Sequence, residues 1–316
     1  MRPKLVLDGV IPANLLPFDS SLKIDEKNYR RHLRYLTDTE GVTGVTTNAH
    51  ASEVATLTLA EQRRSLNITL DEVDGKIPVV CGVYEDGTEK AAALARMAEE
   101  EGADCLLVFP SAVYDFGHRL RPEMALGHVA GVAEATRLPI IVFVYPATSG
   151  LHIDTDNLVG ICSEIDNVIA IKDWSNDIVV YERNYRELKA LDKEISILSS
   201  FSKSLLASLC VGADGILSGH GSIIADLHVE IFEAVKRGDL AAARRVSDRI
   251  YPLTRVFYAE PFLDGHNRMK EALAILGRID EAHVRPPLRR ISGREEIRRV
   301  VSEAGLPSGS PELSAR

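Results

Sequence analysis

The stretch Val168-Ile169-Ala170-Ile171-Lys172 places four consecutive apolar residues directly before a lysine. Short, nearly continuous apolar runs are typical of parallel strands that are buried on both faces of a sheet. Similar runs recur along the chain and predict strands at Val10–Leu15, Val42–Thr47, Pro78–Val83, Cys105–Phe109, Ile140–Tyr145, Val168–Ile171, Ile195–Leu198 and Gly215–Ser218.

Amphipathic segments separate these runs and predict helices at Glu26–Thr37, Ala60–Val73, Glu89–Glu101, Pro122–Ala135, Thr155–Ile165, Ile178–Leu191, Lys203–Leu209 and Leu227–Lys236. Strands that alternate with helices predict an α/β fold, and eight such repeats predict a (β/α)8 TIM barrel. A doubly wound open sheet is the alternative. The segment 13–18 lacks the Gly-rich turn that such a sheet carries after its first strand, so we predict the barrel.

Three further helical patterns follow the last barrel unit, at Leu240–Val256, Arg268–Leu276 and Arg294–Ala304. No linker rich in Pro, Gly or Ser separates them from the barrel. We therefore expect a barrel at 1–237 and, within the same domain, packed C-terminal helices at 238–305. The Pro- and Ser-rich tail 306–316 is expected to be disordered.

The composition excludes several classes of function. The chain has 316 residues and a net charge of −9, which argues against nucleic-acid binding because that requires a basic surface. The four cysteines are scattered, and no histidine cluster has metal-ligand spacing, so no metal is expected. The longest apolar run, Leu138–Tyr145, is too short for a membrane span, and the N-terminus lacks a signal-peptide pattern. These features predict a soluble, cytoplasmic protein.

Lys172 is the lysine whose position suggests chemistry, because catalytic groups of TIM barrels come from the carboxyl ends of strands. Lys4 and Lys76 precede predicted strands, and the other lysines, Lys270 among them, lie on predicted helices or connections where a solvated charge is expected. Burial would favour the neutral amine, which attacks carbonyl groups to form an imine. From spacing alone, a pairing of Lys172 with Asp173 or another rim carboxylate is equally plausible.

The sequence Val-Ile-Ala-Ile-Lys-Asp-Trp-Ser at 168–175 resembles the Schiff-base strand of the dihydrodipicolinate synthase and N-acetylneuraminate lyase family. The resemblance extends over most of the chain. It includes Gly9–Phe18, which ends in Leu-Pro-Phe, and the segments Glu53–Thr58, Gly212–Gly219, Lys270–Leu273 and Val284–Leu288.

The resemblance implies a class I aldolase in which Lys172 forms an imine with pyruvate or a longer 2-oxo acid. No metal or organic cofactor is implied, because the lysine supplies the electron sink. It further implies a homotetramer or homodimer, and an eighth strand that lines the pyruvyl pocket, where Leu217 offers its backbone. From the residues alone, Gly212–Gly221 also fits a phosphate cradle, although a bend where backbone approaches a ligand is favoured.

The turn after the second strand departs from the family pattern. Family members usually read Gly-Thr/Ser-Thr-Gly-Glu here, and backbone N–H groups of the turn hold the carboxylate of the 2-oxo acid. This chain has Ala49-His50-Ala51-Ser52 before Glu53. The donors at Ala51 and Ser52 can remain, but the hydroxyl that relays a proton is replaced by His50 or lost at Ala51. His50 is therefore either a catalytic or substrate contact, since imidazole titrates near neutrality, or a structural histidine.

The family's Tyr-Asn-x-Pro motif after the fifth strand is also altered. With Pro146 as the anchor, the tyrosine position falls on Phe143, which cannot carry a proton. Tyr145 has the same parity as Phe143 along the strand and so points to the same side. We predict that the Tyr145 hydroxyl, together with His50, takes over proton transfer. The alternative is that Tyr145 is a packing residue at the rim.

Further departures concern the second substrate. The arginine that follows the proline in the synthase is Thr148 here, and the polar segment after the seventh strand becomes Ser200-Phe201-Ser202. These changes disfavour dihydrodipicolinate synthesis, and they equally disfavour sialic acid cleavage. Phe143 and Phe201 suggest a less polar partner aldehyde, unless they are packed under a loop.

The sequence thus predicts a Schiff-base-forming lyase that acts on pyruvate or a longer 2-oxo acid, with an aldehyde as the second small molecule. A dehydratase of a 3-deoxy-2-oxo sugar acid would use the same imine and stays open. A barrel that binds a 2-oxo acid without turnover is the non-enzymatic alternative. A third alternative is a barrel that binds a phosphorylated ligand through the Gly-rich segment Gly212–Gly221.

Overall fold

The computed structural model describes Leu5 and residues 7–306. Within this part of the chain, eight parallel strands follow the order β1-β8-β7-β6-β5-β4-β3-β2. They are β1 (Gly9–Pro12), β2 (Val45–Thr47), β3 (Val79–Val83), β4 (Cys105–Val108), β5 (Ile140–Val144), β6 (Val168–Asp173), β7 (Ser196–Ser199) and β8 (Gly215–Ser218). Parallel bridges at Val10–Val42 and Ala13–Thr46 connect β1 with the β2 segment, which nearly closes the sheet. The predicted (β/α)8 TIM barrel is confirmed.

Helices alternate with the strands as the sequence predicts. The barrel helices are α1 (Glu26–Asp38), α2 (Leu59–Val73), α3 (Thr88–Glu101), α4 (Glu123–Ala133), α5 (Thr155–Glu164), α6 (Ile178–Lys189), α7 (Leu205–Val211) and α8 (Gly221–Lys236). The prediction for α8 began six residues late, at Leu227, because its first turn lies in the Gly-rich segment. The backbone leaves helical geometry at Ile224, so this first turn is offset from the remainder. No helix of the described residues is long and apolar enough to cross a membrane.

The side chains of each strand alternate between the barrel interior and the surrounding helices. On β5, Phe143 belongs to the interior cluster, whereas Val142 and Val144 pack outward against the helices. On β6, Ala170 is interior and Ile171 is outward. Because successive strand residues face opposite sides, Lys172 shares the interior face of Ala170. The carboxyl end of β6 therefore delivers this lysine into the mouth of the barrel.

The C-terminal helices are α9 (Leu240–Phe257), α10 (Gly265–Ile275) and α11 (Arg294–Glu303). Their apolar residues, such as Leu253, Leu273 and Val300, join the same core cluster as the barrel residue Leu198. Leu306, which the sequence assigns to a disordered tail, is partly buried against this cluster. The remainder of the predicted tail lies outside the described residues.

Lys270 is buried, and the expectation of a solvated charge at this position is wrong. Its side chain is 1% exposed, and its ammonium group pairs with the carboxylate of Glu53. The same group donates to the carbonyl of His283 at 3.0 Å and lies 4.5 Å from the ring centre of Phe18. Glu53 also accepts from the backbone N–H of Arg285 at 2.9 Å. This buried pair ties α10 to the turn that follows β2.

We expect Lys270→Met to lower the free energy of unfolding by roughly 3–5 kcal/mol, because it leaves the Glu53 carboxylate buried without its counter-charge. Urea denaturation measures the change, and Lys236→Met, which alters an exposed lysine, is the matched control. The double variant Lys270→Met, Glu53→Gln should recover part of the loss. Equal stability of Lys270→Met and the control would refute a role for the pair.

Candidate active site

A cavity of about 450 Å³ opens at the carboxyl ends of the strands, where TIM barrels carry their active sites. It brings together three residues that the sequence singled out as catalytic candidates, Lys172, His50 and Tyr145. Ala51, Phe143 and Ser200, which were predicted to contact substrate, also line it. The rest of the lining is Ala13, Ala49, Glu53, Val54, Ala55, Thr56, Tyr84, Leu151, Trp174, Ser202, Gly219, Tyr258, Phe262, Leu263, His266, Pro287 and Leu288.

Lys172 is 5% exposed, and its amine faces this cavity from β6. The Nζ atom lies 4.0 Å from the centre of the Phe143 ring on the neighbouring strand β5. No carboxylate among residues 7–306 forms an ion pair with it. Burial lowers the pKa of Lys172 to about 7. A substantial fraction of the amine is therefore uncharged at neutral pH.

Asp173 does not pair with Lys172, so the ion pair that was an alternative interpretation of this lysine does not form. The carboxylate of Asp173 points to the opposite side of β6 and is completely buried. There it accepts hydrogen bonds of 2.8 Å each from the backbone N–H of Ser175 and from the Nδ2 atom of Asn184. Asp173 thus fixes the segment after β6, and Lys172 is left without an anionic partner.

The turn after β2 is shaped by left-handed backbone at Asn48 and Glu53, whose φ angles are 53° and 54°. Between them lies a 3₁₀ turn at His50–Ser52. The carbonyl of Asn48 approaches Gly82 of β3 so closely that a Cβ atom at Gly82 would lie 1.9 Å from its oxygen. Only glycine at position 82 permits this path of the turn.

Two backbone donors of this turn are free to bind a ligand. The N–H groups of His50 and Ala51 donate to no acceptor in the described part of the chain. The carboxylate of Glu53, a few residues further on, is held by Lys270 and by the backbone of Arg285. The turn therefore has two unsatisfied N–H groups on residues that line the cavity, while its own carboxylate is neutralised.

His50 and Tyr145 are hydrogen-bonded to each other through Nε2 and the phenolic oxygen. The imidazole lies among aromatic rings, with its centre 4.9 Å from that of Phe109 and 5.4 Å from that of Tyr84. Tyr145 belongs to the interior cluster together with Phe143, as its parity along β5 predicts. The contact brings together the two side chains that the sequence singled out for proton transfer, and that role stays a prediction.

Both members of the His50–Tyr145 pair are uncharged at neutral pH. Burial, followed by the charges of His266 and Lys172, lowers the pKa of His50 to about 3. Burial, followed by the proximity of Tyr84, raises the pKa of Tyr145 well above its ordinary value. A neutral imidazole next to a neutral phenol can accept and donate a proton without forming a separated phenolate.

His266 lines the cavity and was missed by the sequence analysis. It comes from the first turn of α10, and its Nε2 atom would lie 3.1 Å from a Cβ atom placed on Gly219. Burial, followed by the charges of Lys172 and Lys270, lowers the pKa of His266 to about 4. The segment before α10 carries no strand pattern, so no sequence rule for barrels points to this residue. The predicted helix begins at Arg268, two residues after His266, so its helical spacing from Lys270 was not visible in the sequence pattern.

Three predicted substrate contacts do not line the cavity. The backbone N–H of Ser52, which was predicted to bind substrate, donates instead to the carbonyl of Ala49 at 2.9 Å, and its hydroxyl donates to the carbonyl of Asn14 at 2.9 Å. Leu217 is fully buried in the barrel interior, where its strand pairs with β1. Thr148 is exposed on the loop after β5. The proposed site therefore omits these three residues.

A TIM barrel with a buried lysine that faces a cavity at its carboxyl end is the arrangement of an aldolase-type lyase. A sequence model of the dihydrodipicolinate synthetase family matches residues 6–304. The chain therefore belongs to the dihydrodipicolinate synthetase family, a family of lyase-type enzymes.

Individual relatives agree with this assignment. The chain is 32% identical over 307 residues to a 4-hydroxy-tetrahydrodipicolinate synthase of Methanopyrus kandleri, covering 96% of this chain and 98% of that protein. It is 29% identical to the enzyme of the same name from Mesorhizobium japonicum, with 95% and 99% covered. The crystal structure of dihydrodipicolinate synthase from Thermotoga maritima superposes with a TM-score of 0.85 at 28% identity, with 94% and 98% covered.

We expect the amine of Lys172 to titrate near pH 7, because its burial without a carboxylate disfavours the ammonium form. Below this pH the group is charged, and above it the amine is neutral. NMR of the protein with ¹⁵N-labelled lysine measures the transition, and the signal is assigned by its absence in Lys172→Met. A transition near the ordinary value of 10.5 would contradict the environment described here.

Proposed function

We propose that the protein is a class I lyase in which Lys172 forms an imine with pyruvate or a longer 2-oxo acid. The observation that carries this proposal is the buried amine, which faces the cavity with a pKa lowered to about 7 and no carboxylate partner. A neutral amine is the nucleophile that adds to the 2-oxo carbon; loss of water gives the imine, and uptake of one proton from solvent gives its protonated form. No metal or organic cofactor is needed, since this imine accepts the electron pair.

The surroundings of Lys172 favour an anionic substrate. The N–H groups of His50 and Ala51 are available to the carboxylate of the 2-oxo acid. Glu53 is the one carboxylate that lines the cavity in the described part of the chain, and Lys270 neutralises it. Hydrogen-bond donors of this kind bind a carboxylate strongly where water is excluded.

The His50–Tyr145 pair is proposed to move the proton that imine chemistry requires. As the Tyr145 oxygen takes a proton from the methyl carbon of the imine, its own hydroxyl proton passes to Nε2 of His50. The imine becomes a neutral enamine, and the positive charge resides on the imidazole. Each proton is accounted for, and no isolated phenolate forms at Tyr145, whose pKa is raised by burial.

The enamine then attacks an aldehyde, or forms in the reverse direction when a carbon–carbon bond is cleaved. Dihydrodipicolinate synthesis itself is not proposed, although relatives at 29–32% identity carry that name. No arginine lines the described cavity, and Thr148, at the position of the carboxylate-binding arginine, lies on an exposed loop.

Borohydride reduction in the presence of pyruvate and longer 2-oxo acids is expected to attach the acid covalently to Lys172. Peptide mass spectrometry identifies the labelled residue. Lys172→Met should lose labelling entirely, whereas Lys236→Met, on an exposed lysine, should retain it. Labelling should rise as the pH increases through about 7, because the neutral amine is the reactive form. Absence of label at Lys172 with every acid of the panel would refute the imine.

Tyr145→Phe is expected to slow exchange of the pyruvate methyl protons with D₂O by about 100-fold or more, the usual contribution of a general acid–base group. Proton NMR follows the exchange, and Tyr114→Phe, which removes a buried hydroxyl outside the cavity, is the matched control. Borohydride labelling of Lys172 should survive Tyr145→Phe. Unchanged exchange would remove the pair from the mechanism, and no exchange in the parent protein would favour a 2-oxo acid binder without turnover.

A further inference from the structure

Aromatic side chains form one wall of the cavity, which we call the aromatic wall: Tyr145, Trp174, Tyr258 and Phe262. The rings are in mutual contact. Tyr145 and Trp174 have centres 5.7 Å apart, Trp174 stacks on Phe262 at 5.3 Å, and Tyr258 stacks on Phe262 at 5.9 Å. The interplanar angles of the two stacked pairs are 30° and 21°. A planar group in the cavity would therefore meet faces and edges of rings already arranged for stacking.

The aromatic wall continues from the lysine to the opening of the cavity. Phe143, beneath the amine of Lys172, is 2% exposed, and Tyr145 is 8% exposed. Trp174 and Phe262 are half-buried, and Leu263 at the mouth is 62% exposed. A substrate joined covalently to Lys172 would thus extend outward along this surface.

Several polar side chains of the lining already have protein partners. Ser202 shares a hydrogen bond of 3.1 Å with Ser218, and Thr56 donates to the carbonyl of Glu53 at 2.9 Å. Glu53 itself is paired with Lys270, and His50 is paired with Tyr145. A substrate with many hydroxyl groups would have to use the lining side chains without a hydrogen-bond partner among the described residues, such as Tyr84, Ser200 and His266, and each hydroxyl left unpaired would cost binding energy.

The charges of the lining also restrict the second substrate. Lys172 and Glu53 are the lining residues with formally charged side chains. Lys172 is used to form the imine, and the charge of Glu53 is neutralised by Lys270. An aldehyde that carries its own carboxylate would have no further lysine or arginine of the described lining to bind it. The cavity of about 450 Å³ nevertheless falls within the range of roughly 300–1,000 Å³ that holds drug-sized ligands. There is room beyond the 2-oxo acid for a ring.

We infer that the carbonyl partner of this enzyme is an uncharged aldehyde that carries an aromatic ring. This inference rests on the proposed imine at Lys172 and specifies its second substrate. The enamine carbon forms a bond to the aldehyde carbon, and the aldehyde oxygen takes the proton held by the His50–Tyr145 pair. Water then hydrolyses the imine, which restores the amine of Lys172 and releases a 4-aryl-4-hydroxy-2-oxobutanoate. In the reverse direction the same compound is cleaved to pyruvate and the aryl aldehyde.

The test uses the full-length protein with pyruvate and a panel of aldehydes at equal concentration. Benzaldehyde and 2-hydroxybenzaldehyde represent the aromatic class, succinic semialdehyde the anionic class and glyceraldehyde the polyhydroxylated class. Aldehyde consumption and the adduct are followed by liquid chromatography with mass detection. We expect kcat/KM for the two aryl aldehydes to exceed that for the others by at least about tenfold. A preference for succinic semialdehyde or glyceraldehyde would overturn the inference.

Variants of the aromatic wall separate this inference from the proposed function. Trp174→Leu and Phe262→Leu should each raise the KM for benzaldehyde by roughly three- to tenfold, the value of an aromatic contact, and should change the rate of exchange of the pyruvate methyl protons by a smaller factor. Phe232→Leu, which shortens a buried aromatic side chain outside the cavity, should change neither quantity.

The two proposals fail in different ways. Exchange at the pyruvate methyl group without turnover of any aryl aldehyde would overturn the aromatic substrate and keep the imine. Absence of both exchange and labelling at Lys172 would overturn the imine, and the substrate inference with it. Equal KM values for benzaldehyde in the wall variants and in Phe232→Leu would also overturn the role of the aromatic wall.

Discussion

The buried pair of Glu53 and Lys270 is the interaction on which the architecture of the cavity depends. It joins the turn after β2 to α10, two segments separated by most of the barrel sequence. On one side it holds the turn that presents His50 and Ala51. On the other it holds the helix whose first turn carries His266, four residues before Lys270 and hence on the same helical face. Burying two charges is costly, and it is tolerated here because Phe18 and the Arg285 backbone complete their surroundings.

The same pair engages the one carboxylate that lines the cavity in the described part of the chain. A free Glu53 carboxylate in the cavity would attract the ammonium form of Lys172, and its pairing with Lys270 removes that attraction. Asp173, the other nearby acid, is turned outward and bound to Ser175 and Asn184. Burial lowers the pKa of Lys172, and neither of these two carboxylates pairs with the amine to offset that effect.

Much of the fold and part of the site could be predicted from the sequence. The apolar strands and the two-residue alternation of β5 were sufficient to predict the barrel, the position of Lys172 at the end of β6 and the shared face of Phe143 and Tyr145. Lys270 and His266 could not be predicted, because a polar residue on an amphipathic helix looks the same whether it faces water or a second buried charge. Thr148 was wrongly predicted to contact substrate, because alignment to a family motif carries no information on the path of an altered loop. The interior position of Leu217 was predictable from the strand pattern, but its absence from the cavity lining was not.

Gly82 shows that a site can depend on an atom that is absent. This residue does not line the cavity, yet the carbonyl of Asn48 occupies the space that a side chain would fill. The position of His50 thus depends partly on the absence of a side chain at position 82 of the adjacent strand β3. A comparison of catalytic side chains alone would not identify Gly82 as important. A barrel that keeps every reactive side chain but carries a larger residue at this position would have a displaced turn after β2.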